Sequence, residues 1–266
     1  MLDCIVLTGG AGLLGRGLRP ALAACCRELR VLDRAPLALE HANEVVFQTD
    51  LSDPAILRAA MADACAVVHF AGHPREADWA TLLGANVAAV AAVWEAARAA
   101  RVGRILYASS NHAVGMVPRT TRIAHDALPQ PDSRYGVTKV FMESVAGLYA
   151  AKYGVRGFGM RIGHCAPEPS DARMLAHWIH PEDLVALVKV GLEAEYENEI
   201  VYGASANSRS WWDNRRAVAL GYRPMHSADP HAARLADKTS TEPVAEYFQG
   251  GSFAAAEYAH PRHRPG

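Results

Sequence analysis

The 266-residue chain has almost no net charge. Lysine and arginine total 27 against 28 aspartate and glutamate residues, which gives a formal net charge of -1 at pH 7. Broad binding to nucleic acid or to an anionic membrane depends on a strongly basic surface. We therefore expect neither kind of partner, and any recognition of charge must be local.

Cysteine is also sparse, and it occurs without the spacing of a metal site. The number is odd, there is no C-x-x-C pair, and several of the cysteines lie in apolar runs: Cys4, Cys25, Cys26, Cys65 and Cys165. A disulfide framework is typical of secreted chains with an even cysteine count. This pattern instead predicts reduced, mostly buried thiols, a cytoplasmic location and no metal.

The start of the chain lacks the features of a signal peptide. It has no basic segment, and the apolar run of residues 4–7 is too short. No later run is predicted to be long enough to cross a bilayer. Hydrophobic residues make up 50% of the sequence and charged residues 21%, so we expect a soluble globular protein with a substantial core.

The sequence does contain a glycine-rich turn directly after its first apolar run. Residues 4–7 are typical of a strand buried on both faces, and they lead into Thr8-Gly9-Gly10-Ala11-Gly12-Leu13-Leu14-Gly15. A tight turn at a strand-to-helix junction lets backbone amides approach a pyrophosphate at the start of the next helix, predicted over 13–26. We predict that this loop binds a dinucleotide, through Gly9, Gly12, Leu13, Leu14 and Gly15.

Acidic residues follow the next two predicted strands. Asp33 ends the strand of residues 29–32, where a carboxylate can accept from both ribose hydroxyls of an adenosine and repels a 2′-phosphate. This favours NAD over NADP, although Arg34 could neutralise a 2′-phosphate. Asp50 and Leu51, at the end of the strand of residues 45–51, are candidates for holding adenine. Asp33 as a plain loop residue and Asp50 as a helix-starting residue are the alternatives.

The fourth strand, predicted over 66–72, adds three candidate contacts to the dinucleotide. Its end would let backbone pass close to the cofactor, at Phe70, Ala71 and Gly72. His69 lies within the strand and is predicted to be a core histidine. Asn86, in an alanine-rich helix predicted over 79–100, needs hydrogen-bond partners, which a catalytic relay, water or backbone would supply equally well.

The fifth strand, residues 104–110, ends in two serines followed by Asn111 and His112. Ligands of an open parallel sheet lie beyond the carboxyl ends of its strands, so these side chains face the same crevice as the glycine loop. Residues 113–132 are expected to form a long loop over that crevice.

The alternation of strands and helices predicts a Rossmann-type α/β fold, a doubly wound parallel sheet with a small C-terminal substrate-binding portion. Residues 1–266 are expected to form one domain, with NAD bound mainly by 1–160, substrate bound mainly by 161–255, and a loose tail at 256–266. Further elements are predicted: a helix over 140–153, a strand over 157–162, a helix over 181–194, a strand over 200–203 and a helix from 211–214 to about 220.

Tyr135 and Lys139 lie four residues apart on the predicted central helix, and therefore on one of its faces. A tyrosine has an ordinary pKa of about 10. A neighbouring cation favours the phenolate, which would let Tyr135 take a proton near neutral pH. Taken alone, the pattern also arises by accident on many helices.

Together these features resemble the extended type of short-chain dehydrogenase/reductase. More narrowly, the chain resembles the NAD-dependent uronate dehydrogenases of the NAD-dependent epimerase/dehydratase superfamily, which oxidise C1 of a hexuronic acid to an aldarolactone. The resemblance extends through the C-terminal half and lies in these segments: Ala108-Ser109-Ser110-Asn111-His112, Pro131-Asp132-Ser133-Arg134-Tyr135-Gly136, Arg161-Ile162-Gly163-x-Cys165-x-Pro167-x-Pro169, Ala172-Arg173-Met174-Leu175, Gly203-Ala204-Ser205-Ala206-Asn207, Trp211-Trp212-Asp213-Asn214 and Phe248-Gln249-Gly250-Gly251.

The resemblance implies a role for each matching residue. Tyr135 takes the proton of the anomeric hydroxyl, Ser110 rather than Ser109 hydrogen-bonds the same oxygen, and Lys139 lowers the Tyr135 pKa while binding the nicotinamide ribose. Arg173 binds the sugar carboxylate, with a planar fork of donors that matches it. The remaining implied contacts are Asn111 and His112 to sugar hydroxyls, and Asn86, Ile162 and Cys165 to NAD.

Two positions depart from the family pattern. His164 and Pro74 stand where the family carries serines near the substrate, so the dehydrogenase chemistry is expected to persist while the sugar differs. An acidic sugar remains the expected substrate. The protein is expected to be a homo-oligomer, with an interface formed by the helix of residues 86–100 and the helix that carries Tyr135. Alternatives are a nucleotide-sugar epimerase or dehydratase that holds NAD tightly, and a non-catalytic dinucleotide sensor.

Overall fold

In the computed structural model, which describes residues 1–260, seven apolar segments form one parallel sheet in the order β3-β2-β1-β4-β5-β6-β9. The chain turns from one half of the sheet to the other between β1 and β4, as in a doubly wound fold. A separate two-stranded pair, β7 and β8, lies outside it. The strands are β1 Leu2–Thr8, β2 Cys26–Asp33, β3 Glu44–Gln48, β4 Ala66–His69, β5 Arg104–Ser110, β6 Arg156–Ile162, β7 His164–Cys165, β8 Trp178–Ile179 and β9 Asn198–Gly203.

Helices connect most successive strands and cover both faces of the sheet. They are α1 Leu13–Cys25, α2 Pro54–Met61, α3 Trp79–Leu82, α4 Ala89–Ala99, α5 Arg134–Tyr153, α6 Met174–His177, α7 Pro181–Glu193, α8 Arg215–Ala219, α9 Ala232–Leu235, α10 Pro243–Tyr247 and α11 Ser252–Ala255. Short 3₁₀ turns occur at Asn111–Val114 and Asp229–His231, and a π-helical segment, Leu83–Ala88, joins α3 to α4. The predicted α/β class and parallel sheet are confirmed.

Two of the predicted helices differ from the structure, and the central helix agrees with the prediction. Helix α5 begins at Arg134, so that Tyr135 and Lys139 lie on it as predicted; the Ser133 Oγ caps it by accepting from Gly136 N at 3.0 Å. The helix expected from residues 211–214 begins only at Arg215, since Trp212 instead forms a β-bridge with Ile123. The helix expected over 79–100 is interrupted by its π-helical turn.

The C-terminal segment packs on the loop that follows β5. Gln249 N donates to Val117 O at 2.9 Å and Gly250 N donates to Gly115 O at 2.8 Å. Chain regions far apart in sequence thus meet beyond the carboxyl end of β5. The described part of the predicted loose tail is also attached, because Glu257 pairs with Arg134 at 2.7 Å; residues 261–266 lie outside the described residues.

Among the described residues, one helical stretch is long and apolar enough to cross a membrane. It is Trp79–Ala99, with 21 residues and a mean hydropathy of 1.4, so the prediction that no run reaches this length was wrong. Val90, Val93 and Trp94 of this stretch are fully buried in the core between the helices and the sheet. The stretch therefore has the packing of a helix that covers a sheet.

Two buried histidines are expected to make the fold sensitive to acid. Burial lowers the pKa of His69 to about 3, and it lowers the pKa of His177 well below its ordinary value. The unfolded chain binds protons at these rings below a pH of about 6.5 and the native chain does not, so their stabilisation is complete above that pH and is lost as the pH falls.

We expect the free energy of unfolding at pH 5 to lie below its value at pH 7 by about 2 kcal/mol for each of these histidines. Urea titrations at the two pH values measure the difference, and His69→Gln should remove its share of the pH dependence. Equal urea midpoints at both pH values would contradict this expectation.

Candidate active site

The glycine loop after β1 brings backbone close to the end of β4. Gly9 has a φ of +79°, and a Cβ at this position would lie 2.6 Å from Ala71 N. A Cβ on Gly15 would lie 2.0 Å from Gly9 O, so α1 can approach the loop only without a side chain there. The helix begins after Gly12, which provides no side-chain cap. Its first amides remain available for an anionic ligand, which fits the diphosphate of a dinucleotide. Leu13 is exposed and Leu14 half-buried at the start of the helix.

Asp33 lies at the end of β2 and holds the glycine loop. Its Oδ2 accepts from Ala11 N at 2.9 Å and its Oδ1 accepts from Ala35 N at 2.9 Å. Each carboxylate oxygen keeps a second lone pair, so the residue still fits the predicted ribose contact. The neighbouring Arg34 is exposed.

Asp50 and Leu51 follow β3 rather than ending it. The exposed Asp50 carboxylate accepts from Ser52 N at 2.9 Å, and hydrogen bonds from Ser52 lower the Asp50 pKa. Leu51 is buried in the core. Asp50 thus forms a turn before α2, while Asp53 caps that helix by accepting from Ala55 N and Ile56 N; the contact of Asp50 with adenine stays a prediction.

Asn86 joins the loop after β4 to the helix that carries Tyr135. Its Oδ1 accepts from His73 N at 2.6 Å, while its Nδ2 donates to His73 O and to Thr138 Oγ1, each at 3.1 Å. Phe70, Ala71 and Gly72 make up the first part of this loop. The hydrogen-bond partners that Asn86 requires are therefore backbone and a threonine, and its contact with NAD stays a prediction.

His69 confirms the prediction of a core histidine. The side chain is 1% exposed, and its Nδ1 lies 2.7 Å from Thr8 Oγ1.

Ser110, Tyr135 and Lys139 meet at the carboxyl end of β5. Tyr135 lies in the first turn of α5 and is 8% exposed; the Ser110 side chain is near enough to lower the pKa of its phenol. Lys139 Nζ lies 5.3 Å from the centroid of the Tyr135 ring and donates to Ala108 O at 2.8 Å. The three side chains that the sequence predicts as a catalytic set are thus neighbours in the fold.

The pKa of Tyr135 is raised in this structure, opposite to the direction that the pairing with Lys139 predicts. Burial raises the pKa of Tyr135 to about 12, and the hydrogen bond from Ser110 only partly opposes it. Burial also lowers the pKa of Lys139 to about 8, because its ammonium is itself removed from water. Sequence spacing correctly indicates the pairing but cannot indicate that the protein desolvates both groups.

The structure separates the two serines at the end of β5. Ser109 Oγ donates to Glu143 Oε1 at 2.6 Å, on the side of β5 away from the cleft, and Arg161 holds the same carboxylate with two donors, at 2.9 and 2.8 Å. Ser110, the next residue, points to the opposite side, toward Tyr135. The geometry therefore agrees with the choice of Ser110 over Ser109.

Arg173 brings a half-buried positive charge to the cleft. Its Nε and Nη2 donate to Gln249 O at 2.9 and 2.5 Å, and the Asn111 amide, oriented so that its nitrogen donates to Ile162 O, accepts from Nη2 at 3.1 Å. Within residues 1–260 no carboxylate lies within 4.0 Å of this guanidinium. Burial lowers the pKa of Arg173 to about 10, and nearby Arg119 adds to the effect.

His112 lies between the cleft and a buried carboxylate. Its Nδ1 is 2.7 Å from Asp132 Oδ2. Its ring stacks on Phe253 with centroids 4.0 Å apart and meets the Tyr135 ring edge-on at 5.8 Å. The structure thus places His112 beside the tyrosine, as the sequence prediction requires.

The remaining residues predicted to contact the sugar or NAD are His164, Pro74, Ile162 and Cys165. His164 is an exposed residue whose ring is partly desolvated, which lowers its pKa; Asp171 opposes this shift and Arg173 adds to it. Pro74 is exposed in the loop after β4. Ile162 is buried, and Cys165 is half-buried with its pKa raised by burial to about 12, so its thiol is neutral.

Glu76 is a residue of this site that sequence reasoning missed. Its Oε2 accepts from Tyr135 N at 2.8 Å and its Oε1 accepts from Arg134 Nη1 at 2.7 Å. A carboxylate at the first turn of α5 stabilises the helix terminus. Glu76 lies 59 residues before Tyr135, so no local sequence signal relates them.

One cluster of metal-type side chains occurs among residues 1–260, at His180, Glu182 and His226. The two imidazoles are stacked at 3.6 Å and 18°, so their lone pairs run side by side and do not converge. His180 Nδ1 also accepts from Glu182 N at 3.2 Å, which puts the proton of the neutral ring on Nε2. This geometry is poor for a metal ion.

Comparison with known proteins agrees with the fold and the site. The NAD dependent epimerase/dehydratase family matches residues 5–215. The chain belongs to this family. Uronate dehydrogenase of Pseudomonas putida is 40% identical over 258 residues, which are 95% of this chain and 96% of that protein.

Solved structures of uronate and glucuronic acid dehydrogenases are also similar to this chain. Uronate dehydrogenase from Agrobacterium tumefaciens has a TM-score of 0.90 at 36% identity, covering 96% of this chain and 97% of that one. Glucuronic acid dehydrogenase from Chromohalobacter salexigens also has a TM-score of 0.90, at 37% identity, covering 98% and 99%. The predicted superfamily, NAD cofactor and enzymatic character are confirmed.

Proposed function

We propose that this family member oxidises C1 of a hexuronic acid, or a closely related acidic sugar, to the lactone. Arg173 carries the proposal: it is a half-buried guanidinium without a carboxylate partner within 4.0 Å among the described residues, and Asn111 links it to the Ser110 end of β5. Partial removal of this cation from water without a counter-ion is unfavourable, so a carboxylate bound here supplies the missing charge interaction. The relatives named uronate dehydrogenase support the same substrate class.

The residues of the cleft supply the proton chemistry. The Tyr135 phenol, as phenolate, takes the proton of the anomeric hydroxyl, and Ser110 hydrogen-bonds the same oxygen. Because burial raises the Tyr135 pKa in this structure, the phenolate needs positive charge from its surroundings. NAD, when bound, supplies the hydride acceptor and adds the charge of its oxidised nicotinamide to the cleft.

The proposed contacts to NAD follow from where the structure places the predicted cofactor-binding residues. The glycine loop and the first turn of α1 would hold the diphosphate, and Asp33 would hold the ribose and disfavour NADP. Phe70 to Gly72 would line the path of the dinucleotide, with Lys139 at the nicotinamide ribose.

His164 and Pro74 define where the sugar pocket differs from that of a typical uronate dehydrogenase. An imidazole fills more volume than a serine side chain and offers different hydrogen bonds, so it changes which hydroxyls are satisfied. His164 interacts electrostatically with Arg173 and Asp171, which fits a second contact to an acidic group.

The test is NADH formation at 340 nm with D-glucuronate, D-galacturonate, D-glucose and D-galactose. We expect turnover confined to the uronates and NADH released in proportion to sugar oxidised. Turnover of the neutral sugars at equal kcat/KM would contradict the carboxylate site. NAD retained through purification without net NADH release would favour the epimerase or dehydratase alternative.

The assembly and location belong to the same proposal. Val137 and Leu148 on α5 and Leu83 on the π-helical turn are large apolar side chains left exposed, which supports a helical interface between two copies. A monomeric mass at micromolar concentration would count against this interface.

The five free cysteines fit a cytoplasmic protein.

A further inference from the structure

The carboxylate of Asp132 lies in a slot between two glycines. Its side chain is fully buried, and a Cβ on Gly115 or on Gly250 would lie 1.8 or 1.9 Å from its Oδ2. Its Oδ1 accepts from Ser133 Oγ at 2.7 Å, and its Oδ2 faces His112 Nδ1 at 2.7 Å. Each carboxylate oxygen thus has a set partner, and the carboxylate has no room to turn.

The imidazole of His112 is fixed just as firmly. Phe253 covers one face of the ring at 4.0 Å, and Tyr135 meets it edge-on. A carboxylate at Nδ1 accepts a hydrogen bond there, so the neutral ring carries its proton on Nδ1 and leaves Nε2 as an acceptor. A sugar hydroxyl then donates to Nε2, whereas the opposite tautomer would present a donor instead.

We propose that Asp132 is a positioning residue that sets the tautomer and orientation of His112 for recognition of a sugar hydroxyl. Asp132 itself touches no substrate. The recognition of a sugar hydroxyl by His112 rests on the function proposed above. The position of the proton on the His112 ring does not depend on that function.

The first measurement is the tautomer of His112 in the wild-type protein at pH 8, from two-bond ¹H–¹⁵N NMR spectra assigned with His112→Ala. We expect a protonated Nδ1 and an unprotonated Nε2. A proton on Nε2 in the wild type overturns the proposal whether or not any variant folds.

Asp132→Asn is the second measurement. Ser133 Oγ keeps the amide oxygen on its side, so the new NH₂ group faces His112 Nδ1 and moves the ring proton to Nε2. We expect this tautomer change, together with a fall in kcat/KM for the preferred uronate of about 10- to 100-fold. Wild-type kcat/KM with the tautomer reversed would overturn the proposal.

Two comparisons separate positioning from general damage. Asp132→Asn in a His112→Ala background should change kcat/KM by less than about twofold, because the carboxylate acts through the ring. Asp183→Asn is the matched control: Asp183 is buried and faces His226 Nδ1 at 3.3 Å, and its loss should leave kcat/KM and the His112 tautomer unchanged. A further large loss in the His112→Ala background overturns the proposal. Wild-type inactivity on uronates would overturn the proposed function alone, since the NMR result needs no sugar.

Discussion

Tyr135→Phe should lower kcat for uronate oxidation by about 100- to 10,000-fold, because it removes the group that takes the anomeric proton. The change deletes one oxygen from a side chain that is 8% exposed, so the packing of α5 on β5 is kept. NADH formation at 340 nm, followed at saturating sugar and NAD, measures the loss.

Tyr149→Phe is the matched control for this experiment. Tyr149 lies on the same helix, is also buried, and hydrogen-bonds Glu95 well away from the cleft. We expect it to keep kcat, and both variants to bind NADH with the wild-type Kd by fluorescence titration. Full activity in Tyr135→Phe would show that another group takes the proton.

Arg173→Ala should lower kcat/KM for uronates by about 30- to 3,000-fold while leaving any slow turnover of neutral sugars nearly unchanged. The reason is that a half-buried guanidinium pairs with the substrate carboxylate through charge-assisted hydrogen bonds, whose loss costs about 2–5 kcal/mol. Steady-state kinetics on D-glucuronate and D-glucose measure the two effects separately.

Two further variants, Arg173→Lys and Arg234→Ala, test whether the loss comes from the carboxylate contact. Lysine keeps the charge but not the planar fork, so we expect an intermediate loss. Arg234 is an exposed arginine paired with Glu168 at 3.2 Å, and its removal should have no effect on kcat/KM. An equal loss on D-glucuronate and D-glucose in Arg173→Ala would indicate damage to the segment around Gln249 instead of a missing carboxylate contact.

Much of the fold follows from local patterns in the sequence. The apolar run before Gly9 is a central strand because it is buried on both faces, and the parallel sheet follows from regular alternation with helices. Where local patterns compete, the prediction was less accurate. The β-bridge of Trp212 delays α8, and a π-helical turn interrupts the helix predicted over 79–100.

The sequence by itself determined which residues can take part in the chemistry. The glycine loop, the spacing of Tyr135 and Lys139, and Ser110 at a strand end are local features, and local geometry makes them neighbours in any doubly wound sheet.

Only the tertiary structure decided how these groups behave. Packing of distant segments places Gln249 O on Arg173, Glu76 on the start of α5 and Asp132 behind His112. It also removes water from Tyr135 and Lys139, which reverses the expected direction of the Tyr135 pKa. The physical reason is that desolvation and long-range hydrogen bonds depend on which segments meet in space, and sequence spacing carries no record of that.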